Sequence, residues 1–173
     1  MKVFVNPGHD RVYDSGAVGG SGLREADVVH DVGVCLKRRL EQSGYAVKLV
    51  QDDMLMSVIN EANAWGADVF VSIHCNGFSS PGAKGTETLY YPTSVGGRRL
   101  AKCLQERMLG SLGLADRGIK ERRDLAVLKY TSMPAALVEM AFITNPREER
   151  ILRDGIEAWA EALFSGIEMY FEG

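Results

Sequence analysis

Apolar and polar positions alternate along this chain in blocks whose period switches between that of a strand and that of a helix. Residues 2–6, Lys2-Val3-Phe4-Val5-Asn6, read as a buried strand closed by Pro7-Gly8. A loop carrying Gly16, Gly19, Gly20 and Gly22 follows. Over residues 25–43, Val28, Val29, Val32, Cys35, Leu36 and Leu40 recur on one helical face, and Gly44 supplies a stop. Residues 45–50 form a second strand. Asp53 can then cap a helix whose Leu55, Val58, Ile59, Ala62 and Trp65 share a face before Gly66.

The same alternation continues to the C-terminus. A very apolar strand covers residues 68–74, a fourth covers 86–91, and a helix spans 98–112 with Gly113 just beyond it. Residues 114–133 are the least regular stretch, mixed in charge, and the apolar run 125–128 reads as a short strand. A last apolar strand runs over 135–143. Asn145-Pro146-Arg147-Glu148 then opens a single final helix to about residue 170, with Asn as the cap and Pro at the first helical position. Strands alternating with helices predict an α/β fold: one three-layer domain over residues 1–173, with a mostly parallel twisted sheet and helices on both faces.

Composition narrows the function classes. The chain has 173 residues, 46% hydrophobic and 25% charged, as expected of one globular domain with its own core. Its formal net charge of −3 leaves no basic surplus for nucleic acid, which is not expected as a partner. Three widely spaced cysteines, Cys35, Cys75 and Cys103, match neither a disulfide framework nor a thiolate metal site. No segment is long and apolar enough to span a bilayer, and the N-terminus runs straight into a strand, so no signal peptide, no membrane partner and cytosolic synthesis are expected. A monomer is expected.

Four polar side chains fall where an open α/β sheet keeps its ligands. His9 follows the first strand, His74 ends the third, and Glu139 lies inside the last. Glu25 precedes Val28, Val29 and Val32 by three, four and seven residues, which sets a carboxylate in the first helical turn on the sheet-facing side. Two imidazoles and a carboxylate are a donor set for catalytic zinc. Each ligand has a bland alternative: a hydrogen-bonded loop histidine, a strand-end histidine on a carbonyl, and an acidic residue favoured by the helix dipole. Glu139 has a weaker one. Its apolar neighbours from Ala135 to Phe142 would bury an unpaired carboxylate or raise its pKa, as a general base near neutrality requires. His30, off the apolar face, and Cys75, pointing to the other side of the sheet, are not assigned to the metal. The glycine loop lacks a P-loop lysine and the dinucleotide triplet.

Several of these motifs, in order, resemble those of the zinc-dependent N-acetylmuramoyl-L-alanine amidases of bacteria and phages, over essentially the full length. Asn6-Pro7-Gly8-His9 is similar to the opening strand-turn with the first zinc histidine, and Gly16-Ala17 with Gly22 and Glu25 to the second-ligand stretch. Ser72-Ile73-His74-Cys75-Asn76 resembles the third-ligand motif, and Gly85-Thr86-Glu87-Thr88 the strand after it. Pro134-Ala135-Ala136-Leu137-Val138-Glu139, with Phe142-Ile143-Thr144-Asn145 and Glu148, resembles the closing motif with the catalytic glutamate. Two positions depart: Asn6 stands where the family usually has aspartate, and Cys75 where it has alanine. If that aspartate supports the first histidine, Asn6 alters the orientation or basicity of His9.

The resemblance implies one zinc ion on His9, Glu25 and His74, Glu139 as the catalytic carboxylate, and peptidoglycan as substrate. The bond cut would be the amide joining the lactyl group of N-acetylmuramic acid to L-alanine of the stem peptide. It implies action at the cell wall, reached by lysis or as a domain excised from a secreted parent. Asn76, Arg117 and Arg123 are candidate substrate-binding residues. Arg117, Lys120, Arg122 and Arg123 precede the catalytic strand, where a guanidinium could pair with a stem-peptide carboxylate, the alternative being a solvated charged loop. Rival readings are a zinc peptidase or deacetylase acting on another wall bond, and an inactive wall-binding or regulatory module.

Overall fold

A computed structural model describes residues 1–173. Its strands are β1 (Lys2–Pro7), β2 (Ala46–Leu49), β3 (Val69–Asn76), β4 (Thr86–Tyr90), β5 (Asp116–Glu121) and β6 (Ala135–Phe142). Its helices are α1 (Glu25–Gln42), α2 (Leu55–Trp65), α3 (Val95–Leu112), α4 (Ala126–Lys129), α5 (Pro146–Asp154) and α6 (Ile156–Glu172). The strands form one sheet in the order β2-β1-β3-β6-β4-β5. The four on the β2 side run parallel, β4 is antiparallel to β6, and β5 is parallel to β4. The mostly parallel α/β sheet expected from the sequence is therefore present.

Strand alternation divides the sheet's side chains between two cores. Val3, Val5, Val71, Ile73, Cys75, Val138 and Met140 pack with Val29, Val32 and Leu36 of α1, Leu104 of α3 and Trp159 and Leu163 of α6. Phe4, Phe70, Leu89 and Leu137 pack on the other face with Val58 and Ile59 of α2 and Val127 and Leu128 of α4. Leu55, grouped by its spacing with the buried face of α2, is instead half exposed. Asp53 does not cap that helix with its side chain; Asp52 Oδ1 accepts the Met54 N–H at 2.8 Å. No helix is long and apolar enough to cross a membrane.

Three expected elements differ. The irregular stretch contains the edge strand β5, and its apolar piece is the single-turn helix α4 rather than a strand. α3 begins at Val95, three residues early, because the Ser94 hydroxyl accepts the Gly97 N–H at 3.0 Å and caps it. The final helix is two helices that meet at Gly155, where a Cβ would lie 2.5 Å from the Ile151 carbonyl oxygen. The break turns the chain so that Trp159 is fully buried.

Candidate metal and catalytic site

The face of the sheet covered by α2 and α4 is left open towards the C-terminal ends of β3 and β6. Three side chains line up there across three strands. His74 on β3 is in register with Glu139 on β6, and Glu139 in turn with Glu87 on β4. In-register residues point to one face, so the row His74-Glu139-Glu87 forms a floor.

Glu25, in the first turn of α1, reaches this floor from the opposite side of the sheet. Its Oε1 lies 3.1 Å from His9 Nε2 and 3.1 Å from His74 Nδ1 and accepts the Cys75 N–H at 2.9 Å. Its Oε2 accepts the Ala17 N–H at 2.8 Å, tying the glycine loop to the site. The ligand atoms of His9, Glu25 and His74 all lie within 4.8 Å of one another. Three ligands held ~2.0–2.2 Å from a tetrahedral zinc would be about 3.4 Å apart, so this donor set fits a small divalent cation.

Close packing fixes the two imidazoles. A Cβ on Gly8 would fall 2.1 Å from His74 Cε1, so only glycine lets β1 end flat against that ring. Gly16, at φ +63°, is equally constrained, since a Cβ would sit 2.6 Å from both Glu25 Oε2 and His9 Cδ2. His9 has φ +62°, a strained conformation for a residue with a side chain, of the kind that persists where surrounding contacts enforce it. One such contact is the Asp14 Oδ2 atom, 2.7 Å from His9 Nδ1. It favours a proton on Nδ1 and leaves Nε2 to face Glu25.

The electrostatics match this geometry. Hydrogen bonding to Glu25, helped by Asp14, raises the His9 pKa to about 9 against the opposing effect of burial. Burial pushes the Glu25 carboxyl up, but His74 and His9 override it and hold it at about 2. A buried, ionised carboxylate facing two imidazole nitrogens in this way suits a bound cation. Glu139 behaves oppositely. Burial raises it to about 7, and its Oε2 is buried with no hydrogen-bond partner.

Asn6 does not orient His9. Its side chain donates to the Val50 carbonyl at 3.0 Å and accepts from the Ser72 hydroxyl at 2.9 Å, inside the sheet. The supporting role that the Asn6 departure put in question is filled by Asp14, which no sequence pattern singled out. His30 pairs with Gln51 at 2.8 Å, and Cys75 is buried in the opposite core, so neither joins the cluster. All three cysteines are free thiols.

Among the candidate substrate residues, Asn76 and Arg117 meet on Glu87. Asn76 Nδ2 donates to Glu87 Oε1 at 3.2 Å, and Arg117 Nε donates to Oε2 at 2.7 Å. Arg123 lies exposed after β5, without a hydrogen bond or ion pair. Two further buried carboxylates brace the site. Glu148 accepts the Gly85 and Phe142 N–H groups, each at 2.8 Å, and Glu149 accepts the Ser21 N–H and hydroxyl at 2.9 and 2.6 Å. A surface groove between Arg98, Lys102, Asp116 and Ile119 lies against α3 on the other face.

A family model described as N-acetylmuramoyl-L-alanine amidase matches residues 3–169. The chain belongs to this amidase family. It is 35% identical over 177 residues to N-acetylmuramoyl-L-alanine amidase LytC of Bacillus subtilis, an alignment covering 98% of this chain and 35% of that protein. It is 38% identical over 164 residues to an endolysin of Bacillus phage SPP1, covering 87% and 58% of the two. The chain therefore spans about a third of the length of the first of these amidases. Two solved structures share its fold across nearly their whole length. Amidase AmiC2 of Nostoc punctiforme superposes with a TM-score of 0.93 at 32% identity, covering 100% of this chain and 98% of that one. The catalytic domain of CwlV from Bacillus (Paenibacillus) polymyxa var. colistinus does so at 0.90 and 32%, covering 99% of each.

Proposed function

We propose that residues 1–173 form one catalytic domain, working as a monomer on peptidoglycan at the cell wall. It hydrolyses the amide between the lactyl group of N-acetylmuramic acid and the L-alanine of the stem peptide. His9, Glu25 and His74 would hold one zinc ion, which when bound supplies Lewis acidity for the lactyl carbonyl and acidifies water. The observation that carries this reading is the convergence of His9 Nε2 and His74 Nδ1 on one Glu25 oxygen, each at 3.1 Å, beside a carboxylate without a partner.

Glu139 is the proton carrier. A carboxyl raised to about 7 is close to equally populated in its two forms at neutral pH, so it can take a proton from water and deliver it to the departing alanine nitrogen. An amine leaves poorly unless protonated, so both transfers matter. Asp14 keeps His9 in one tautomer, and Glu25, held by the Ala17 and Cys75 N–H groups, keeps its oxygens aimed at the imidazoles.

Digestion of purified cell wall tests the reaction. New free L-alanine amino ends, with stems of unchanged length and sugars still acetylated, are expected. Shortened stems or deacetylated sugars would instead identify a peptidase or a deacetylase.

A further inference from the structure

Beyond the groups used so far, the wall of the open face carries an arrangement of charge that bond hydrolysis does not require. Glu87 is 8% exposed, in register beside Glu139, and its Oε2 accepts from both Arg117 Nε at 2.7 Å and Lys120 Nζ at 2.5 Å. Burial pushes the Glu87 carboxyl up, but these two cations override it and hold it below its ordinary value. Two positive charges therefore meet one negative charge, leaving a surplus cation next to the catalytic carboxylate.

The backbone is shaped to produce this meeting. Arg117 and Lys120 are three positions apart, so in a regular strand they would point to opposite faces. The β4–β5 register shifts instead: Thr86 pairs with Asp116, but Thr88 pairs with Ile119, so β5 carries one extra residue there. Gly118, at φ +77°, supplies the left-handed backbone of that bulge. The shift turns Ile119 into the α3-side core and brings both cations to Glu87. Arg117 is further fixed because its guanidinium stacks on the Phe142 ring at 4.9 Å and bonds the Lys84 carbonyl at 3.4 Å. Gly85 makes room for it, since a Cβ there would lie 2.9 Å from Arg117 Cγ. Neither cation is spent. Arg117 and Lys120 keep 36% and 42% of their side chains exposed, with donors free.

We propose that Arg117 and Lys120, held by the positioning residue Glu87, form a subsite for a carboxylate on the peptide attached to the scissile amide. The proposal rests on the amidase reading and adds which stems are preferred. Adjacent strands lie ~4.8 Å apart, so β5 is roughly 10 Å from Glu139's strand, and an extended peptide covers that span in about three residues. The recognised carboxylate belongs to the second or third residue of the stem, counting the alanine as first. A guanidinium and an ammonium on a shared anchor suit a carboxylate and discriminate against a neutral carboxamide.

The test uses synthetic muramoyl tripeptides that differ only in whether the second or the third residue bears a carboxylate or its carboxamide. For the zinc-loaded wild type, one of the two amidations is expected to lower kcat/KM by about 10- to 100-fold, mainly through KM. Arg117→Gln and Lys120→Gln, each with its melting temperature checked against wild type, are expected to reduce that preference towards unity. Cleavage of all substrates with kcat/KM within twofold overturns the subsite and leaves the amidase reading standing. A preference that persists unchanged in both folded variants also overturns it. Failure to release L-alanine amino ends from any substrate or from whole wall sinks both readings together.

Discussion

Glu139→Gln is expected to slow the release of L-alanine amino ends by about a thousandfold, since a positioned acid and base contributes roughly 10²- to 10⁴-fold. The zinc content should stay at the wild-type level, because Glu139 contributes no atom to the His9, Glu25 and His74 cluster. The same substitution is expected to stabilise the metal-free protein. The Glu139 carboxyl ordinarily titrates at 4.5 and is raised to about 7 in the fold, so the folded state prefers its protonated form. That preference is fully present below pH 4.5 and is lost as pH rises through about 7, where ionisation of wild type costs up to about 3 kcal/mol. Glutamine cannot ionise. Its advantage in melting temperature should therefore be absent at pH 4, grow between pH 4.5 and 7, and hold at pH 8. A variant as active as wild type would remove Glu139 from the chemistry. A stability gain independent of pH would assign its effect to packing.

His74→Ala is expected to abolish both zinc retention and activity, the second large effect. The imidazole is one of three donors, and its loss leaves Glu25 with a single histidine. By contrast, Asp14→Ala retains all three donors and removes only the group that orients His9, so zinc affinity should fall by about 10- to 100-fold without vanishing. Metal analysis after dialysis against a graded chelator series separates the two. Equal zinc content in wild type and His74→Ala would show that the ion, if bound, lies elsewhere.

Much of the site was legible because its residues interrupt strong patterns. Glu139 stands out as a carboxylate inside an eight-residue apolar strand, and Glu25 as an acid on the apolar stripe of a helix. The strand ends that carry His9 and His74 follow from the short, continuously apolar runs before them. β5 was hidden because it is an edge strand with a bulge, and Asp-Arg-Gly-Ile-Lys-Glu offers no clean alternation once one residue is out of register. Residues 125–128 are apolar because they cover Phe70 and Leu137, and so short a run does not distinguish a strand from a turn of helix. Asp14 was missed since its role depends on the tight turn through residues 10–14, where Asp10 Oδ1 accepts the Val12 and Tyr13 N–H groups. Glu87 did leave a trace, a carboxylate within Thr-Glu-Thr-Leu-Tyr, but its meaning needed the two neighbouring strands.

Anomalous scattering at the zinc edge from crystals of the wild-type protein addresses the central claim most directly. One peak is expected, about 2.0–2.2 Å from His9 Nε2, a Glu25 carboxylate oxygen and His74 Nδ1, with the Glu139 carboxylate facing it without ligating. A zinc-loaded crystal with no peak between those three side chains, or with its peak on other residues, would contradict the account.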